Sequence, residues 1–120
     1  MRILVLGALA LAMVTGCGGG GDSAPQTFEV TYGATGSGGG DVTYAAPGGS
    51  TAQEHVANGV AFHRTFTMKA GDFIYVSVQN NSPDALALAL ATIAVDGRAY
   101  RAGQSTGPFV IATASATCCQ

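Results

Sequence analysis

Phe73-Ile74-Tyr75-Val76-Ser77-Val78-Gln79 decides how the rest of the chain is read. It is rich in β-branched and aromatic residues, the side chains that fit a pleated, half-buried surface. Turn clusters bound it on both sides: Lys69-Ala70-Gly71-Asp72 before it and Gln79-Asn80-Asn81-Ser82-Pro83-Asp84 after it. Working back towards the N-terminus, Val60, Phe62, Phe66 and Met68 share one phase and His63, Thr65 and Thr67 the other, with Arg64 interrupting the apolar set. Thr51 to Val56 reads as a weaker, polar strand at a sheet edge, preceded by a turn at Pro47-Gly48-Gly49-Ser50. Val42 and Tyr44 alternate in another strand, and Gly33 to Gly40 reads as a loop or wide turn. Phe28, Val30 and Tyr32 alternate with Thr27, Glu29 and Thr31, the period of a strand with one face buried.

Downstream, Ala85 to Val95 carries two signals. Leu86, Leu88 and Leu90 recur at period two, whereas Ala and Leu are good helix formers. A strand is expected, with a β-bulge switching its phase at Ala91–Thr92; the competing reading is a helix over 85–93. Asp96-Gly97 between Val95 and Arg98 is a strong two-residue hairpin signal. A last strand is expected from about Phe109 to Thr117. Seven to eight short strands with regular turns, and no convincing helical periodicity, predict an all-β fold. Its expected form is an antiparallel, immunoglobulin-like β-sandwich over residues 27–117.

The 120 residues suffice for one domain. Eighteen glycines, no Trp and few charges point to many turns and a small-residue interior. The formal charge is −2. Arg64, Lys69, Arg98 and Arg101 form no basic stripe, so a nucleic-acid partner is not expected.

Arg2 followed by the apolar run Ile3 to Val14 has the layout of an export signal and is too short for a membrane span of about 20 residues. Its end, Val14-Thr15-Gly16-Cys17, resembles the bacterial lipobox, a branched apolar residue and two small ones before a cysteine. The resemblance implies removal of residues 1–16 and a covalent lipid on Cys17, with palmitate among its acyl chains. The alternative is an ordinary secretory signal with an incidental cysteine. Each buried CH₂ of an acyl chain contributes about 0.8 kcal/mol, so several chains hold a protein firmly at a membrane. Gly18 after the cysteine resembles an outer-membrane sorting signal of enteric-type bacteria. The expected location is therefore the cell envelope: outer membrane facing the periplasm, or the cell surface. Residues 17–26, including Gly18-Gly19-Gly20-Gly21-Asp22-Ser23-Ala24-Pro25, read as a lipidated cysteine and a flexible tether.

Several pieces together resemble the MmpS-like β-sandwich family. They are Phe28-Glu29-Val30-Thr31-Tyr32, Val42-Thr43-Tyr44, Arg64 to Phe73, Val76-Ser77-Val78-Gln79-Asn80, Ile93 to Arg98 and Gly107 to Ser115. The family includes accessory proteins of mycobacterial MmpL transporters and many bacterial lipoproteins. The resemblance covers nearly all of 27–117, and its motifs are strands and turns. It implies an extracytoplasmic sandwich anchored at its N-terminus, assisting a transport system, and it brings no catalytic residues.

His55, His63 and Met68 invite comparison with blue-copper sites, which need two His, one Cys and usually an axial Met. The late cluster of Cys, His and Met is missing, so solvent-facing histidines are expected and no metal site is assigned. With Cys17 lipidated, Cys118 and Cys119 can form only a vicinal intramolecular disulfide. Adjacent Cα atoms lie about 3.8 Å apart, against roughly 4.4–6.8 Å in ordinary disulfides. Residues 118–120 therefore read in three ways: a strained vicinal bond, an intermolecular bond, or incidental thiols on a frayed tail. A soft-metal site using both thiols and a histidine is a further reading. No Gly-x-Ser-x-Gly elbow accompanies Ser77 or Ser105, and no Gly-Lys-Ser/Thr follows the glycines at 36–40. The expectation is a non-enzymatic binding or accessory module of an envelope or export assembly. It needs no cofactor beyond the lipid and recognises its partner by a sheet face or an edge strand such as Thr51–Val56. The alternative is a small-ligand or metal carrier using Cys118 and Cys119 with His55 or His63.

Overall fold

The computed structural model describes residues 26–119. The expected signal segment, Cys17 and the expected tether as far as Pro25 lie outside the described residues, and the end of the domain at Thr27 is called the tether pole after that expectation. Eight strands follow in order: β1 Thr27–Gly36, β2 Gly40–Ala45, β3 Thr51–Val56, β4 Phe62–Lys69, β5 Phe73–Asn80, β6 Leu88–Val95, β7 Arg98–Thr106 and β8 Ile111–Thr117. They form two antiparallel four-stranded sheets, β4-β1-β6-β7 and β3-β2-β5-β8. The all-β sandwich expected from the alternating pattern is the fold. Only the β2–β3 and β6–β7 connections stay within a sheet, and all others cross between the two layers.

Alternation builds the core. Val30 and Tyr32 of β1, Val42 and Tyr44 of β2, Ile74, Val76 and Val78 of β5 and Ile93 of β6 point inward and are buried. Ala34, Ala89, Ala91, Ala112 and Ala114 fill the facing positions, giving the small-residue interior. Tyr32 crosses the gap between the layers. Its hydroxyl donates to the Ala45 carbonyl at 2.7 Å and accepts from the Tyr75 N–H at 3.3 Å. A phenol buried between sheets is satisfied here, as its desolvation requires. Burial raises its pKa, and nearby Asp72 adds to the rise, while the Tyr75 N–H opposes it.

Three details differ from the sequence expectation. First, Gly33 to Gly36 are not loop but the last residues of β1, paired with β4 and β6. Gly33 sits beneath Thr92, whose Oγ1 lies 2.5 Å from where a Cβ would be, so the strand continues because glycine leaves that space. Secondly, β6 starts at Leu88, and its inward phase is Ala89, Ala91, Ile93, without a switch at Ala91–Thr92. The register irregularity falls between Ile93 and Ala94, so the leucines face outward. Thirdly, β8 starts at Ile111, because Phe109 takes a left-handed backbone (φ 53°) that no strand residue adopts. The Asp96-Gly97 hairpin forms as read, with φ of 51° and 81°. Thr51–Val56 lies at a sheet edge as read.

The connectivity gives the sandwich two ends. Thr27, the turns at 46–50, 70–72 and 96–97, and Cys118 gather at the tether pole. The loops at 37–39, 57–61, 81–87 and 107–110 gather at the distal pole.

Candidate functional site

The distal pole is organised by one buried polar side chain. Asn80, the last residue of β5, is fully buried. Its Nδ2 donates to Ser37 Oγ at 3.0 Å and to the Leu88 carbonyl at 2.7 Å. Its Oδ1 accepts from the Ser82 N–H at 2.8 Å and the Gly38 N–H at 3.3 Å. One amide thus joins two loops, the start of β6 and both sheets, with both of its donor hydrogens and its carbonyl in use. Ser37 extends the network by accepting from the Leu88 N–H. Gly39 (φ 82°) lets the first loop press against β3, since a Cβ there would lie 2.8 Å from the Val56 carbonyl oxygen.

On this base sit apolar side chains that nothing among the described residues covers. Leu86 is 82% exposed, Phe109 52% and Val60 54%, and Ile111 and Leu88 at the distal ends of their strands are 56% and 40% exposed. Leu86 is held out by a local turn. Asp84 Oδ1 accepts from the Leu86 N–H at 3.0 Å, the Asp84 carbonyl accepts from the Ala87 N–H, and Ser82 Oγ accepts from the Asp84 N–H. Phe109 is presented by its left-handed backbone, fixed where its N–H donates to the Ser82 carbonyl at 2.9 Å. That conformation costs a bulky residue about 1 kcal/mol or more, and such strain concentrates at binding surfaces. Asp84 is the sole charged residue of the four distal loops. A tip of this kind suits an apolar contact with another macromolecule and offers no group poised for covalent chemistry.

The residues singled out in the sequence fall elsewhere. Cys118 and Cys119 are joined to each other and buried, at 1% and 2% exposure, at the tether pole. The Cys118 backbone is pinned there, its carbonyl accepting from the Gly71 N–H and its N–H donating to the Asp72 carbonyl. Both residues belong to the folded domain and not to a frayed tail. His55 and His63 lie near the distal ends of β3 and β4, so most of a strand's length separates them from the cysteines. His55 Nδ1 pairs with Asp41 Oδ1 at 2.9 Å on an exposed sheet face, and His63 is exposed on the other sheet. Met68 is buried. Among the described residues no group of three or more His, Cys, Asp or Glu side chains comes together to hold a metal. Ser77 lies on β5 and Ser105 within β7.

Thr51–Val56 is an edge strand, but its neighbour across the gap is engaged. Arg64 of β4 donates through Nε and Nη2 to Glu54 of β3, and the Tyr44 hydroxyl donates to the same carboxylate at 2.6 Å. The Tyr44 hydrogen bond lowers the Glu54 pKa most, desolvation opposes it, and the Arg64 hydrogen bond and charge add to the lowering. The same hydrogen bond raises the pKa of Tyr44. This latch joins the two sheets along one side. Along the other side β7 and β8 approach so closely that a Cβ on Gly103 would overlap the Thr113 carbonyl.

The chain was compared with protein families and with curated proteins. No family model matches it, and no curated protein does either. The family resemblance therefore rests on its strand and turn motifs alone.

Proposed function

We propose that this chain is a lipid-anchored extracytoplasmic lipoprotein. Its sandwich acts as a non-enzymatic docking module of an envelope or export assembly, as the MmpS-like motifs imply. The partner is a protein, met by the distal pole. One observation carries this reading: Val60, Leu86, Leu88, Phe109 and Ile111 are exposed together at the end opposite Thr27, where the tether joins the domain. An anchor at one pole and uncovered apolar side chains at the other fit a domain held at a membrane by one end and engaging a partner with the other. The remaining exposed large apolar side chain among the described residues, Phe73, lies at the tether pole.

Crosslinking pull-down of the full lipidated chain from its native envelope tests the reading. Reproducible capture of a membrane export or efflux component is expected, falling at least tenfold in the double variant Leu86→Ser, Phe109→Ser. Both side chains are more than half exposed, so the double variant should keep its stability to within about 0.5 kcal/mol per site. Undiminished capture by that variant, or capture of bulk envelope proteins alone, would remove the distal pole from this role. Cys17→Ser should release the chain from the membrane fraction, which checks the anchor separately.

A further inference from the structure

The outer face of the sheet β3-β2-β5-β8 carries a second surface of different chemistry. Register places its outward side chains in rows. His55, Asp41, Gln79 and Ile111 form one row, and Gln53, Thr43, Ser77 and Thr113 the next. Tyr75 and Ser115 are opposed in a third, and Phe73 and Thr117 beyond them. The first two rows line a shallow depression of about 460 Å³. At the tether end, Phe73 and Tyr75 project from alternate positions of β5 and stack, with centroids 5.8 Å apart and planes 22° off parallel. Phe73 is 60% exposed.

We propose that this face binds a neutral, polyhydroxylated polymer, a polysaccharide chain lying across the strands. Three observations favour that occupant. Hydroxyl, amide and carboxylate groups dominate the rows, and such groups donate to or accept from sugar hydroxyls. No Lys or Arg lies at any outward position of these rows, and His55 is already paired with Asp41, so a polyanion finds no countercharge. The Phe73–Tyr75 pair offers flat apolar area beside polar groups. A pyranose ring, with its C–H face and its hydroxyl rim, presents the complementary combination. A small ligand is a poorer match, because the depression is open and its polar groups spread over three strands instead of converging. The surface meets the distal pole at Ile111, which belongs to both, but its role does not depend on the docking function proposed above.

Affinity electrophoresis of the full chain in detergent tests the proposal, with dextran, hydroxyethylcellulose or galactomannan cast in the gel and alginate as the anionic comparator. Retardation by at least one neutral polysaccharide is expected. Phe73→Ala, and separately the double variant Asp41→Ala, Gln79→Ala, should weaken it at least tenfold. Leu86→Ser with Phe109→Ser should leave it unchanged. Circular dichroism confirms that each variant is folded, and Gln53→Ala provides a second, less intrusive probe, expected to weaken retardation. Retardation by none of the neutral polymers, retardation by alginate alone, or retardation that survives these variants would overturn it.

Discussion

The two poles of this sandwich are closed by different means. At the distal pole a single buried amide, Asn80, holds two loops and the start of β6, and apolar side chains are left facing solvent. At the tether pole Tyr32 spans the layers from inside and the Cys118–Cys119 pair packs beneath the 70–72 turn. Charged residues such as Lys69, Asp72, Asp96 and Arg98 lie around that pole. Asp72 accepts from the Lys69 N–H and Asp96 from the Glu29 N–H, so local hydrogen bonds finish its turns. The tether pole thus ends as a water-facing surface ends. The distal pole is also hydrogen-bonded throughout its base but is apolar, with exposed Leu86 and Phe109 above that base.

Removing the central group of each pole should expose the contrast most strongly. Asn80→Leu keeps the branched shape of the side chain but strands two N–H donors, a hydroxyl and a carbonyl. Several unsatisfied groups at roughly 1–3 kcal/mol each, partly relieved by water at the loops, predict a loss of about 3 kcal/mol. Hydrogen exchange should accelerate first at residues 37–39 and 81–87. Tyr32→Phe leaves the Ala45 carbonyl and the Tyr75 N–H without that hydroxyl and should cost less, about 1–2 kcal/mol, with faster exchange at the tether pole. Equal losses, or exchange that rises uniformly over the domain, would mean that the poles are not separately held.

What could be read from sequence divides along the same line. Asp96-Gly97 announces its hairpin because few residue pairs accept two consecutive left-handed conformations. The edge position of Thr51–Val56 follows from its polarity. Asn80, by contrast, sits in a cluster where any asparagine reads as a turn former, and its role depends on Ser37 and Leu88, far away in sequence. In β6 both phases are apolar, so hydrophobicity could not choose between leucine and alanine. Inward, β6 places Ala89 and Ala91 together with Ile93 in one core with the large side chains of Val30, Tyr32, Val42 and Ile74. That choice is why Leu88 faces out, and it hid part of the candidate site. The sequence favoured no burial of Cys118 and Cys119 either, since that depends on the backbone of Gly71 and Asp72.

Acid should act on neither pole but on the side latch between them. The Tyr44 and Arg64 hydrogen bonds depress the Glu54 pKa, so their stabilisation is complete above the ordinary glutamate range and is lost as pH falls through the lowered value. Tyr44 and Tyr32 are shifted upward, so their contributions are complete below the ordinary tyrosine range and disappear as pH rises through the raised values. Melting temperature against pH should therefore show a plateau with a decline on each side. Glu54→Gln should remove much of the acid decline while leaving the exchange pattern of both poles unchanged. An acid decline that persists in full would assign it to other carboxylates.

The smallest effect is expected from reducing the disulfide. A covalent link stabilises mainly by restricting the unfolded chain, and the restriction grows with the loop it closes. Cys118 and Cys119 are adjacent, so the closed loop is the shortest possible and the loss on reduction should be about 1 kcal/mol or less. The tether pole should stay shut, because burial of both side chains and the hydrogen bonds to Gly71 and Asp72 do not require the S–S bond. Thermal melts before and after phosphine reduction, with thiol content counted under denaturing conditions, measure this directly. A loss of several kcal/mol would show that the bond itself fixes the end of β8. The tether pole would then be clipped covalently where the distal pole is held by one amide, and the contrast between them would be sharper than hydrogen bonding alone makes it.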